Sequence, residues 1–236
     1  MEAKELLKIL GLQKLTLLDY PDKVACTVFT GGCNLRCPFC HNASLVIVSK
    51  NSEAMNEADL FAFLKKRQGF LDGVCLTGGE PLLQSDIVDL LRQIKELGYL
   101  IKLDTNGTFP DRLKELVTQG LVDYVAMDIK SSPGHYGKAT GVSRFDFSKV
   151  SDSINYLLAE PVDYEFRTTV VKGLHDVKIM HDIAQTICGA KRYYLQKFVD
   201  SGDLIGTGMS VFSDGEMKLF LDDVAPFVKT AALRGL

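Results

Sequence analysis

Three cysteines fall within one short stretch, Cys33-Asn-Leu-Arg-Cys37-Pro-Phe-Cys40, and this spacing constrains the chain more than any other feature. A C-x3-C-x2-C loop is compact enough to wrap three thiolates around three corners of a cubane 4Fe-4S cluster. No fourth cysteine follows locally, so one iron is left for a ligand from outside the protein. The competing reading is a zinc site completed by His41, but the adjacent Cys40 and His41 are poorly placed to converge on one tetrahedral ion. Six cysteines in 236 residues are too sparse for a disulfide scaffold and indicate a reducing, cytoplasmic setting. Cys26, Cys75 and Cys188 read as small buried hydrophobes rather than ligands.

With 46% hydrophobic and 24% charged residues, the chain is long enough to bury a full core, and a single domain over 1–236 is expected. A net charge of -3 argues against broad attraction to nucleic acid or anionic membrane. No apolar run approaches the length of a membrane span. The opening MEAKELLKIL mixes charge with leucine at helical spacing, and 1–23 reads as a lead-in. A core follows over 24–200, then a C-terminal loop and helix over 201–236.

Within that core, β-branched or apolar runs at 24–30, 73–77, 100–104, 124–128, 164–171 and 193–198 read as six strands. Helical patterns at about 57–67, 86–97, 111–119, 146–159, 176–188 and 214–229 alternate with them. Such alternation predicts an α/β fold with a parallel sheet, as a partial (β/α)6 TIM-like barrel, with an open doubly wound sheet as the alternative. Residues 31–56 form an unusually long connection that holds the cysteines. Segments 131–143 and 201–213 also read as loops.

The unusual polar sequences follow the strand ends, where sites in parallel α/β folds are built. After the second strand comes Thr77-Gly78-Gly79-Glu80-Pro81, where open backbone lies beside one carboxylate, a set suited to an ammonium group. Its bland reading is a tight turn with Glu80 as a cap. Asp104-Thr105-Asn106-Gly107 and Asp128-Ile129-Lys130 follow the third and fourth strands. Each aspartate is equally suited to capping a helix or turn, and Asn106-Gly107 is a turn signal first. Lys130 offers a point charge for a carboxylate. Arg167 sits inside an apolar strand pattern, where an unpaired charge is costly, so it needs an anionic partner or a structural salt bridge. His135, His175 and His181 are solvated or structural by default.

The C-x3-C-x2-C loop after one strand and Gly-Gly-Glu-Pro after the next resemble the radical S-adenosylmethionine (SAM) superfamily. The resemblance implies that Cys33, Cys37 and Cys40 hold the cluster and that SAM chelates its open iron. It further implies that Glu80 and the Gly78-Gly79 backbone hold the SAM amino group, and that Phe39 meets adenine. The runs Asp19-Tyr20-Pro21-Asp22-Lys23 and Val28 to Asn42, with Asp104-Thr105-Asn106-Gly107 and Asp128-Ile129-Lys130, are similar to glycyl radical enzyme activases. Among these the likeness is strongest to those serving anaerobic ribonucleoside-triphosphate reductase, with the pyruvate formate-lyase type close behind. The implied substrate is a glycine of a partner glycyl radical enzyme, and the implied electron donor is a low-potential protein such as flavodoxin or ferredoxin. Asp104, Thr105 and Asp128 would bind a monovalent cation, Asn106 would touch the SAM ribose, and Lys130 or Arg167 its carboxylate. The formate-lyase type carries a SAM-contacting His where this chain reads Tyr194-Leu195-Gln196, so Gln196 is its candidate replacement. His41 and Asn42 are placed to hydrogen-bond cluster sulfides. Radical SAM chemistry on a small molecule or peptide, and an electron-transfer iron-sulfur protein, are the rival readings.

Overall fold

The computed structural model describes residues 8–49, 52–200 and 202–235. The strands are β1 (Ile9–Thr16), β2 (Ala25–Thr30), β3 (Gly73–Gly78), β4 (Leu100–Thr105), β5 (Tyr124–Asp128), β6 (Asp163–Val170), β7 (Tyr193–Lys197) and β8 (Ala231–Arg234). The helices are α1 (Ala43–Val46), α2 (Glu57–Arg67), α3 (Ile87–Glu96), α4 (Pro110–Thr118), α5 (Tyr136–Thr140), α6 (Ser148–Leu158), α7 (Val177–Thr186) and α8 (Asp214–Val224). The sheet follows chain order from β1 to β8. All six expected strands form within one or two residues of their sequence bounds.

Two strands and one direction differ from expectation. Six parallel strands were expected; β1 is a further strand, antiparallel to β2 with two breaks in register, and β8 is another, parallel to β7. The lead-in helix pattern lies largely outside the described residues, and its described end, from Ile9, is strand. Segment 131–143 is not a plain loop, since it holds a 3-10 turn (Pro133–His135) and α5. Tyr136, fully buried, anchors that segment against Phe145 and Phe147 with ring centroids 4.7 and 5.0 Å away.

The chain divides into two compact units, one of Met1–Asn34, Ser44–Thr105 and Asp111–Val125, the other of Leu35–Ala43, Asn106–Pro110 and Ala126–Leu236. In the first, β2, β3 and β4 pair in parallel, with Cys26, Val28, Val74, Cys75, Leu76, Ile101 and Leu103 fully buried. Sheets covered on both faces need such near-continuous apolar strands. Helix α3 buries Ile87, Leu90, Leu91 and Ile94, the i, i+3, i+4, i+7 stripe of a helix packed on a core. Asn56 caps α2 by accepting from Ala58 N at 2.9 Å, and acidic and basic residues fill its first and last turns, in line with the helix dipole.

In the second unit, β6, β7 and β8 pair in parallel around Tyr164, Phe166, Val170, Tyr193 and Leu195. Asp176 Oδ1 accepts from Ile179 N at 2.8 Å to start α7. Ser213 and Glu216 form a reciprocal capping box at α8, which satisfies two backbone donors at once.

Candidate functional site

In the first unit, the exits of β2 and β3 are bonded backbone to backbone. Gly79 N donates to Thr30 O at 2.9 Å and Glu80 N donates to Gly32 O at 2.8 Å. Gly78 has φ +118, and a Cβ there would lie 2.3 Å from Thr30 O, so conformation and space both demand glycine. A Cβ on Gly79 would stand 2.0 Å from Gly32 O and 3.3 Å from Cys33 N. The paired glycines are therefore fixed against the backbone that delivers the first cysteine. Gln84 Nε2, donating to Gly31 O at 2.6 Å, ties the same turn down from the other side.

Glu80 is fully buried. Its Oε1 accepts from Leu82 N at 3.0 Å, capping the 3-10 turn Pro81–Leu83, and from Thr105 Oγ1 at 2.8 Å. It thus performs the capping role the sequence allowed and also fastens the end of β4 to the exit of β3. Asp104, one residue earlier, has a different set of partners: the Lys102 ammonium pairs with Oδ1, and Thr77 Oγ1 donates to Oδ2 at 3.3 Å. Lys102 Nζ also lies 3.7 Å from Cys75 Sγ. Lys102 was not singled out from sequence, although a lysine inside the apolar run Leu100-Ile101-Lys102-Leu103 carries the same signal as Arg167 in its strand.

In the second unit, the segment Leu35–Ala43 holds Cys37 and Cys40. Arg36 N donates to Thr140 O, Cys40 N to Cys37 O and Gly206 N to Pro38 O, at 2.9, 3.0 and 2.8 Å. Phe39, between the two cysteines, is 3% exposed. Asn106 makes the turn its sequence signalled, its Oδ1 accepting from Thr108 N at 3.0 Å and Thr108 Oγ1 at 2.6 Å.

Asp128 ends β5 between two cations, Lys130 Nζ and Arg167 Nε, each 2.9 Å away. Neither Asp104 nor Asp128 is the helix cap that the sequence equally permitted. Burial would raise the Asp128 carboxyl, but the Arg167 and Lys130 charges outweigh it and hold it well below the usual carboxylate range. Burial would lower the Lys130 ammonium, but the Asp128 carboxylate, with a further contribution from Cys37, raises it above an ordinary lysine. Lys130 is therefore a fixed cation near a cysteine, not a solvated side chain. Burial pushes the His41 imidazole down, helped by Lys130 and opposed by Asp128.

His175 is structural: Nδ1 accepts from Val171 N and Nε2 lies against Lys130 O, both at 3.0 Å, which places the proton on Nε2. Gln196, half-buried on β7, faces Thr169 and Arg234 in register. Arg234 makes a two-bond pair with the fully buried Glu165 at 2.6 and 2.9 Å and stacks 3.6 Å over Tyr194; neither member was singled out from sequence. Cys26 and Cys75 are buried as expected, with the Cys26 thiol pushed up to about 12 by burial. Cys188 is exposed, contrary to expectation, because it follows the end of α7 rather than lying on its buried face.

The donor set fits an iron-sulfur cluster. Cys33, Cys37 and Cys40 form no disulfide, the backbone around them is hydrogen-bonded, and the Glu80 carboxylate lies at the strand exit bonded to the start of their loop. Among the described residues no three His, Cys, Asp or Glu side chains surround one metal-sized point; this concerns a single ion, whereas cubane thiolates bind different irons. Also among the described residues, no helix is long and apolar enough to cross a membrane.

The sequence profile of the radical SAM superfamily matches residues 27–185. A Methanocaldococcus jannaschii protein, provisionally named a glycyl-radical enzyme activating enzyme, is 34% identical over 197 residues, 80% of this chain and 78% of that one. A Thermococcus kodakarensis protein named as a probable GTP 3',8-cyclase is 33% identical over 156 residues, 64% of this chain and 48% of that one. Among solved structures, a domain of pyruvate-formate lyase-activating enzyme from Bacteroides vulgatus superposes with a TM-score of 0.57 at 18% identity, covering 69% of this chain and 99% of that one.

Proposed function

This chain belongs to the radical SAM superfamily, and from that premise we propose that it is an activase that takes a hydrogen atom from a glycine of a partner glycyl radical enzyme. The proposal treats residues 1–236 as one radical SAM domain working in the cytoplasm. The observation that carries it is the identity along 80% of the chain to a relative named for glycyl-radical enzyme activation. The backbone contact between Gly79 and the residues leading into Cys33 supports the site assignment. When bound, a 4Fe-4S cluster with SAM on its open iron supplies an electron that splits SAM into methionine and a hydrogen-abstracting 5'-deoxyadenosyl radical.

The chain's own residues hold and orient. Cys33, Cys37 and Cys40 are assigned as the cluster ligands and Phe39 as an adenine neighbour. The Glu80 carboxylate and the Gly78-Gly79 backbone are assigned to the SAM ammonium group. Asn106 is the candidate ribose contact, with Gln196 standing where a formate-lyase activase has His. Lys130 and Arg167 pair with Asp128, so any contact to the SAM carboxylate would extend that ion pair rather than replace it.

Anaerobic ribonucleoside-triphosphate reductase is the proposed partner, on the likeness of the Asp19–Lys23 and Val28–Asn42 runs, and a flavodoxin or ferredoxin the proposed donor. The test is to incubate the reduced, cluster-loaded chain and SAM with a purified anaerobic reductase and, separately, a pyruvate formate-lyase. A glycyl radical EPR signal on the reductase alone is expected. A signal on the lyase alone would reassign the partner, and SAM cleavage without a radical on either would favour a small substrate.

A further inference from the structure

Asp104, Thr105 and Asp128 are the residues that the family resemblance assigns to a monovalent cation, and their observed partners do not fit one. Asp104 and Thr105 are consecutive in β4, so their side chains leave opposite faces of the strand. Thr105 Oγ1 donates its proton to Glu80 at 2.8 Å. Asp128 is matched by Lys130 and Arg167, both 2.9 Å away. At Asp104, the position of a neutralising cation is held by the Lys102 ammonium.

The Lys102 position is built by the sheet. Cys75 and Lys102 are register partners on β3 and β4, and Thr77 and Asp104 lie two residues further along, on the same face. Cys75 Sγ, 3.8 Å from Asp104 Oδ1 and 3.7 Å from Lys102 Nζ, and Thr77 Oγ1 complete a four-residue cluster. Lys102 is 2% exposed, and an ammonium taken this far out of water requires a fixed countercharge. A lysine ammonium is a compact, strongly hydrated point charge, a chemical equivalent of a bound potassium or ammonium ion.

We propose that Lys102 is a built-in cation that occupies the place of a monovalent ion beside Asp104, so that this chain works without one. Lys102 acts through Asp104 and is a positioning residue. The effect on SAM rests on the radical SAM reading; the exclusion of the ion does not.

The test uses the cluster-loaded chain, anaerobically, at fixed ionic strength, with potassium, sodium or ammonium chloride exchanged for choline chloride. Wild-type melting temperature and SAM affinity should be indifferent to the exchange. In Lys102→Met, SAM affinity in choline should fall about 10-fold, an ordinary size for coupling between neighbouring sites. Potassium or ammonium should restore it saturably and raise the melting temperature. A saturable response of wild-type melting to any of these ions would overturn the proposal, as would a folded Lys102→Met indifferent to all of them. If Lys102→Met does not fold, the wild-type exchange still decides, and Lys102→Met/Asp104→Asn, with both charges removed, should fold and ignore the cation. A chain that binds no SAM but melts as described would sink the functional reading and leave this inference standing.

Discussion

Asp104 and Asp128 stand near the C-terminal ends of consecutive strands, yet they draw countercharge from different places. Asp104 is paired with a lysine two residues back on its own strand, and meets a hydroxyl and a thiol from the neighbouring strand. Asp128 has two cations, from the segment after its own strand and from β6. The first arrangement sets a nearly buried ammonium against a carboxylate of the same strand. The second brings two cations to one carboxylate, and one of them, Lys130, is under the electrostatic influence of Cys37.

The largest expected effect comes from Asp128→Asn, which removes the carboxylate that Lys130 and Arg167 share. Arg167 cannot shed its proton, so the loss should be about 3 kcal/mol, the low end for removing one partner of a buried pair, because the Asp128 side chain is 27% exposed. Asp104→Asn should cost less, about 2–3 kcal/mol, because a buried lysine left alone can deprotonate. Denaturant unfolding of the two variants checks the order, and a costlier Asp104→Asn would reverse the comparison.

Acid should sharpen the same contrast. The Asp128 carboxyl lies below its usual range when folded, so its contribution is fully present above the unfolded value, about 3.9, and is lost as pH falls through the folded one. The stability gap between wild type and Asp128→Asn should therefore narrow below about pH 4. A gap that stays constant down to acid unfolding would contradict the ion-pair assignment.

Removing one cation at a time should matter less. Lys130→Met leaves Asp128 paired with Arg167, and a loss of about 1–2 kcal/mol is expected. Smallest of all is the effect of thiol reagents on stability: exposed Cys188 should be alkylated in the native state without unfolding it, whereas Cys26, buried with its thiol pushed up to about 12, should react only on unfolding. Mass spectrometry of the labelled, cluster-free chain distinguishes the two.

The six inner strands were legible because their β-branched and apolar runs are continuous, as in Val74-Cys75-Leu76. The outer two were not. Ile9–Thr16 is buried only at its ends, and Ala231–Arg234 has no β-branched residue and is half-buried throughout, so neither shows an apolar period. Segment 131–143 was hidden by Pro133, Gly134, Gly137 and Gly141, which signal loop, while one buried tyrosine organises it. At the site, the motifs were readable from spacing, and the Arg167 partner was anticipated in kind. Lys102 was not, because its countercharge sits two residues along the same strand, where sequence suggests a ligand for something external.

The most direct measurement is 5'-deoxyadenosine formed from SAM by the anaerobically reconstituted, dithionite-reduced chain, with the cluster EPR signal recorded before and after SAM is added. Nucleoside formation and a SAM-dependent EPR shift are expected in wild type and in Cys75→Ala, and neither in Cys37→Ala. A reduced cluster indifferent to SAM, or equal loss in both variants, would contradict that expectation.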